Sequence, residues 1–450
     1  MAATAAASVD TLDPGRSARA SALAKASWRL LPLLALGYLV AYMDRVNVSF
    51  AALQMNADLG FSATIYGLGG GLFFLSYALF EIPSNIIMPR FGPRRWLARI
   101  MISWGLIAMA MMFVRQPWHF YALRFLLGMA EAGFFPCVVY YLAHWFPKGC
   151  RARATSGFYM SGSLAAVVMG ATSASLLGLD GLGGLRGWEW LFLAQGLPAV
   201  IVGLAILFFL PDEPARARWL SDLERAALVD ALAQERESMG GHDLTAVRAI
   251  LGDRLVQWLA AIGFLSIGSI ITFSLSAPLL LRANAGLDAA GAGKVVMLGG
   301  LLGVGSMLVS GWISDRIGDR FRVMFGGLVM MTVGMAMLAF APNPTVTIAG
   351  ALVWYLFYPA CTLSQAALWG DVFHVRRLAI ASAAINTVSQ IGAFIGPYGW
   401  GIAKDATGTY QLGLIVVAFA YALCLLLAVL LRGRIRAGRM VSLRAATTRA

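Results

Sequence analysis

Charge is what this chain has little of. Only 13% of its 450 residues are Asp, Glu, Lys or Arg, about half the share that keeps the surface of a soluble domain wet. With 59% of residues hydrophobic, disorder is excluded and a soluble globular enzyme is disfavoured. Cysteine and histidine are scarce too, with four of each. Cys137, Cys150, Cys361 and Cys424 form no Cys-x-x-Cys pair and have no histidine at metal-ligand spacing, which argues against a disulfide framework and a zinc site. His119, His144, His242 and His374 fall in loops or at the ends of apolar segments, so no His/Asp/Ser triad assembles at one depth. Gly181-Leu-Gly183-Gly184 has no strand before it and is no dinucleotide fingerprint. No cofactor and no metal are expected, and nothing marks an intramembrane enzyme or an ATP-driven pump.

What the chain has instead is long apolar runs. A span needs about 20 mostly apolar residues to cross the hydrocarbon of a bilayer, and twelve such segments are read at 30–52, 63–88, 97–114, 118–145, 153–178, 190–210, 255–281, 291–313, 323–341, 345–369, 378–402 and 411–431. The expected fold is an all-α membrane protein of twelve transmembrane helices in two six-helix halves. Its expected divisions are a tail (1–28), an N-terminal half (29–210), a linker (211–254), a C-terminal half (255–432) and a second tail (433–450). The first 27 residues lack the apolar core and cleavage site of a secretory signal.

The formal net charge of +13 would suggest nucleic acid in a soluble chain. Here the basic residues fall in short juxtamembrane clusters, almost all on one side. On the other side lie Arg115, Arg186, Arg282, Lys294 and Lys404, while Arg45 and Arg124 fall inside spans. The positive-inside rule then puts both tails in the cytoplasm, which removes the nucleic-acid reading and gives a multi-pass protein of the cell's inner membrane.

An internal repeat supports the two halves. Arg90-Phe-Gly92-Pro-Arg94 after span 2 recurs 226 residues later as Arg316-Ile-Gly318-Asp-Arg320 after span 8, and repeated halves are common among secondary transporters. The second loop, from Gly311 through Asp315 and Arg316 to Gly318 and Arg320, resembles the GxxxDRxGxR motif of the major facilitator superfamily. The first is a degenerate copy, with Pro89 in the place of the acid. Further stretches resemble the anion:cation symporter group of that superfamily: Tyr42-Met-Asp44-Arg45-Val-Asn47, Glu81-Ile-Pro-Ser-Asn85, Arg124 to Glu131, Gly187-Trp-Glu-Trp-Leu-Phe192, Leu210-Pro-Asp-Glu-Pro214 and Ala384-Ile-Asn386. Two departures are Gln195, where a glutamate usually stands, and the polar Asp371-Val-Phe-His374. The resemblance implies transport of small organic anions such as sugar acids, tartrate-like diacids or aromatic carboxylates, usually with protons. It also implies that Gly311, Asp315, Arg316, Gly318 and Arg320 belong to a gating latch between helices.

The residues expected to carry chemistry are the ionisable ones at bilayer depth, where a charge costs ~2.5–3.5 kcal/mol on insertion scales and normally faces a polar cavity. Arg45 is the expected anion anchor, since its planar fork suits a carboxylate; the structural alternative is an ion pair with a neighbouring acid. Seven residues bring Glu131 to within ~20° of Arg124 around a helix, so the two are expected to face the same way. Glu131 and Asp44 are the expected proton-coupling carboxylates. Arg124, Tyr77 and Asn386 are candidate substrate ligands, the last by resemblance, with bracing or plain helix–helix hydrogen bonding as the alternative for each. Trp354, Tyr358 and Gln390 are further candidates to line the pocket. Glu81, near a helix end beside Pro83, is expected to brace the loop.

The function expected is proton-coupled uptake of a small organic anion by alternating access, with protons, the anion and the lipid bilayer as partners and the protein acting as a monomer. The alternatives are an exchanger of organic anions or sugar phosphates with the same fold, and a non-transporting membrane sensor.

Overall fold

Helix boundaries fall where the sequence supplies caps and breakers. Ser62, Asp253, Asp288 and Asn343 each accept a first-turn backbone N–H with the side chain, which satisfies a donor that the helix leaves orphaned. Pro93, Pro117 and Pro344 sit in the first turn, where their missing N–H costs nothing. In a computed structural model, which describes residues 14–237, 252–373 and 375–447, these signals delimit fourteen α-helices.

The first seven are α1 (Pro14–Leu59), α2 (Ala63–Phe91), α3 (Pro93–Ala110), α4 (Pro117–Glu131), α5 (Phe134–Trp145), α6 (Lys148–Leu177) and α7 (Gly187–Phe209). After α8 (Asp222–Glu237) come α9 (Arg254–Ala285), α10 (Ala289–Ile317), α11 (Arg320–Ala339), α12 (Pro344–Val372), α13 (Val375–Thr407) and α14 (Gln411–Thr447). Ten segments among the described residues are long and apolar enough to cross a bilayer, α4 and α5 together making one of them. With α6 and α13, 30 and 33 residues long, the count of spanning helices is twelve. Large apolar side chains such as Phe208, Phe209 and Phe419 are exposed around the outside, as a lipid-facing surface requires.

Two expectations need correction. Span 4 is not one rod. Gly133 adopts φ +90°, a left-handed conformation that glycine reaches without penalty, and a Cβ there would lie 2.2 Å from Ser84 Oγ of α2. The helix therefore stops at Glu131 and restarts at Phe134. The N-terminal tail is also not wholly separate from span 1, because α1 is helical from Pro14 onward.

That early helix has a partner. Ser221 and Glu224 form a reciprocal capping box at the start of α8. Glu224 also accepts from Ser21 at 2.7 Å and pairs with Lys25 at 2.7 Å, while Arg29 lies over Trp219, which stacks on Trp145. The linker helix is thus docked on the N-terminal half. Residues 238–251, the remainder of the linker, lie outside the described residues.

The packing pattern repeats. In the N-terminal half α3 packs on α7, α1 on α6 and α7, and α2 on α4; in the C-terminal half α11 packs on α14, α9 on α13 and α14, and α10 on α12. Each pair in one half has its counterpart six spans later in the other. The halves meet along two main seams, α2 against α13 and α6 against α10, with α1 also packed on α9. Along the first the backbones nearly touch: a Cβ on Gly71 would lie 2.5 Å from the carbonyl oxygen of Phe394. Asp405 accepts from the backbone N–H groups of Ala63 and Thr64 at 3.0 and 2.8 Å, and Tyr66 donates to the Leu275 carbonyl at 2.7 Å. These contacts close the end of the bundle that holds the start of α2.

The repeated loops are tied within their own halves. Arg94 meets Asp212 beyond the end of α7, and Asp319 pairs with Arg432 on α14. Arg316 stacks on Trp312 at 5.3 Å, Gly318 caps α10 at φ +65°, Gly311 lies within α10 and Arg320 opens α11. The side chains of Asp315 and Asp371, and the whole of His374, lie outside the described residues.

Two outcomes follow from this packing. Gly71→Leu should push α2 off α13 and lower the detergent melting temperature at an overpacking cost of about 1–3 kcal/mol, whereas Ile82→Leu on the exposed face should leave it unchanged. At α8, the Lys25, Ser21 and Ser221 partners lower the Glu224 carboxyl from 4.5 to about 2. A depressed folded-state value gives stability that is present above 4.5 and lost as pH falls through about 2. Hydrogen exchange over 222–237, corrected for the intrinsic rate, should therefore be flat from about pH 5 to 8 and should accelerate on Glu224→Ala.

Candidate functional site

A guanidinium inside an apolar bundle must find a negative partner or be expelled. Arg45 lies on α1 facing the break between α4 and α5, and that break supplies the partner. Glu131, the last residue of α4, accepts from Arg45 through a single oxygen, Oε1, from Nε at 2.9 Å and Nη2 at 2.5 Å. The Glu131 side chain is 1% exposed while that of Arg45 is 19% exposed, so the acid sits behind and the guanidinium in front.

Asp44 points to the other side of α1, as the ~100° step between neighbours requires. It accepts from Asn47 Nδ2 at 2.9 Å, and its charged neighbours are Glu131, Arg124 and Arg45. Asp44 Oδ2 and Glu131 Oε2 are both buried with no hydrogen-bond partner among the described groups. Two carboxylates thus each keep one free oxygen in a shared interior, an arrangement that calls for an explanation.

Arg124 faces inward with Glu131, as expected from their spacing, but its hydrogen bonds go elsewhere. It is 1% exposed and donates to the carbonyls of Gly69 and Gly70 on α2, each at 3.4 Å. Gly128 makes this crossing close, since a Cβ there would lie 2.1 Å from the Phe73 carbonyl oxygen. Arg124 is therefore a buried brace between α4 and α2 whose charge is felt by Asp44 and Glu131.

Aromatic rings surround the front of Arg45. Its Cζ lies 5.2 Å from the ring centroids of Tyr42 and Tyr77 and 5.6 Å from that of Phe73, within cation–π range of each. Phe73 is also 4.8 Å from the Arg124 guanidinium, so one ring serves both cations. Tyr42 and Phe73 were not singled out from sequence; Tyr42 was legible as the residue one helical turn before Arg45. From the C-terminal half, Tyr358 is half-buried and stacks on Trp354 at 4.5 Å. Trp354 itself is fully buried and donates to Tyr421, which makes it a support for Tyr358. Gln390 is buried as well.

The larger correction concerns Glu81. Expected to brace the loop, it is instead a buried acid, 8% exposed, whose oxygens accept from Asn386 Nδ2 at 3.0 and 3.3 Å. This bond crosses from α2 to α13. The available signal was its spacing: Glu81 is four residues after Tyr77, hence on the same helix face. Among the described residues no group of three His, Cys, Asp or Glu is placed to hold a metal ion.

The site thus combines the Arg45 cation, three buried carboxylates (Asp44, Glu81 and Glu131) and polar side chains from both halves. Comparison with known proteins agrees with this architecture. The chain is 39% identical to a "Putative tartrate transporter" of Agrobacterium vitis over 88% of its own length and 91% of that protein's. It is 36% identical to a "Quinolone resistance transporter" of Acinetobacter baumannii, over 86% and 89% of the two chains. Its fold is similar to that of a crystal structure of a bacterial homolog to the human lysosomal transporter Spinster, with a TM-score of 0.71 at 16% identity, covering 90% of this chain and 96% of that one. The sequence profile of the Major Facilitator Superfamily matches residues 34–397. The chain belongs to that superfamily and is a multi-pass membrane transporter, not an enzyme.

Proposed function

We propose that the protein takes up a small organic anion together with protons, by alternating access, across the cell's inner membrane. Tartrate-like hydroxy acids, sugar acids and aromatic acids form the candidate cargo. The observation that carries this reading is the Arg45–Glu131 pair, in which a part-exposed guanidinium is held by a sealed carboxylate. A substrate carboxylate entering the cavity competes with Glu131 for the same donors. Two anions cannot both be held beside one buried cation at low cost, so a proton on Glu131 is the condition for the exchange of partners.

The charge accounting closes. Without cargo, Arg45 is balanced by Glu131. With cargo, Arg45 is balanced by the substrate carboxylate and Glu131 is neutral. The core holds the same net charge in both states, so both can cross between inward and outward forms, while a charged core lacking either component is penalised. Asp44 provides a second proton position beside Arg124, which a dianion would require. The unpartnered oxygens of Asp44 and Glu131 are where those protons would reside. With both tails in the cytoplasm, as the basic loops suggest, the end of the bundle where Asp405 and Tyr66 join the halves faces outward.

Three substitutions test this in proteoliposomes with labelled carboxylates. Arg45→Ala should abolish binding, and the unpaired Glu131 should cost about 3–5 kcal/mol unless it protonates. Arg45→Lys should weaken binding tenfold or more, since it keeps charge but loses the fork. Glu131→Gln should retain binding and exchange but lose accumulation driven by a proton gradient. Wild-type uptake indifferent to that gradient would reject symport in favour of exchange.

A further inference from the structure

Glu81 and Asn386 meet at the point where the α2–α13 seam changes character. The two helices run antiparallel, and the seam passes from Gly67 opposite Pro397, through Gly71 opposite Phe394, to Glu81 opposite Asn386. The first two pairings are backbone approaches that leave no room for side chains; the third is a hydrogen bond between polar side chains. Glu81 is one turn, ~6 Å of axial rise, beyond Tyr77, whose ring faces the Arg45 guanidinium. Arg45 is close enough to both Tyr77 and Glu81 to act on them electrostatically. Among the described residues no ion pair engages Glu81; its partner is an amide.

An amide is ambiguous in what it offers. Asn386 can present either N–H donors or a carbonyl acceptor to the cavity, depending on how its side chain is turned. A carboxylate partner removes the ambiguity, because it accepts and so takes the nitrogen. With Nδ2 held by both Glu81 oxygens, Oδ1 is the atom directed away from Glu81. We propose that Glu81 is a positioning residue of the transport site: it locks Asn386 so that the C-terminal half presents a hydrogen-bond acceptor opposite the donors of Arg45.

This deepens, and rests on, the carboxylate-transport reading. Its consequence is a substrate class. A passenger that puts its carboxylate on Arg45 and a hydroxyl donor on Asn386 satisfies both ends. An acid without hydroxyls leaves the Asn386 carbonyl desolvated and unpaired, the kind of mismatch by which binding sites discriminate best. Hydroxy acids are therefore preferred over plain or aromatic carboxylates.

The test measures equilibrium binding to the purified full-length protein of two pairs matched in carbon chain, tartrate with succinate and gluconate with hexanoate. Wild type should prefer the hydroxy acid roughly tenfold or more within at least one pair. Glu81→Gln lets Asn386 turn and should cut that preference at least about fivefold. The swap Glu81→Gln with Asn386→Asp should restore it, because the glutamine then donates and the aspartate keeps an oxygen facing the cavity. A merely structural Glu81 would change both members of a pair alike. An unaltered preference in folded Glu81→Gln, or no preference in wild type, overturns the proposal while leaving the anion reading intact if Arg45→Ala still loses all four acids. Binding of none of the four by wild type overturns both.

Discussion

The constraint from which the rest follows is that Arg45 cannot sit uncompensated in the interior of the bundle. A planar cation of high intrinsic basicity does not shed its proton to escape, so the protein must always hold an anion against it. Glu131 fills that need in the present state, and the break at Gly133 ends α4 where its last residue meets α1. The difference in exposure between the two partners gives the pair its direction: a newcomer reaches the guanidinium before it reaches the acid. A structural ion pair sealed from all sides would have no such asymmetry. The same reasoning separates the two arginines, because Arg124 is sealed, bound to backbone carbonyls, and contributes field instead of contact.

Around this centre the fold supplies two bodies that can move as units. The main packing relations in one half have counterparts in the other, and each repeated Arg-x-Gly-x-Arg loop is tied by an ion pair to the last spanning helix of its own half or to the residues just after it. The seams between halves are built differently, from glycine-mediated backbone approach and a few hydrogen bonds such as those of Asp405 with α2. In a bilayer dispersion and not hydrophobic exclusion holds helices together, so lipid contacts can replace part of what such a seam loses on opening. The ties within halves and the seams between them are what alternating access needs.

The architecture was legible in the sequence because it rests on long-range statistics: run length, basic-loop asymmetry and a repeat 226 residues apart. The identity of the buried charges was equally legible, since an ionisable residue in an apolar run is conspicuous. Their pairing was not. Angular arithmetic put Glu131 on the face of Arg124 but could not say that α1 would bring Arg45 to the same place, because interhelix approach depends on where Gly128 and Gly133 let backbones close in. Glu81 was misjudged for a related reason. Its nearness to Pro83 suggested a helix end, yet α2 continues through Pro83 and Pro89 to Phe91, which leaves Glu81 inside the bundle. Phe73 was overlooked because an aromatic residue in an apolar span carries no signal until the cation beside it is placed, whereas Tyr42 could have been found from its place one turn before Arg45.

The claim that cargo and Glu131 compete for one guanidinium has a direct thermodynamic signature. Calorimetric titration of a bound carboxylate in buffers of differing ionisation enthalpy counts the protons taken up on binding. The competition predicts about one proton absorbed per monocarboxylate bound by wild type near neutral pH, and none by Glu131→Gln. Equal proton uptake by the two proteins, with the carboxylate still bound through Arg45, would contradict it.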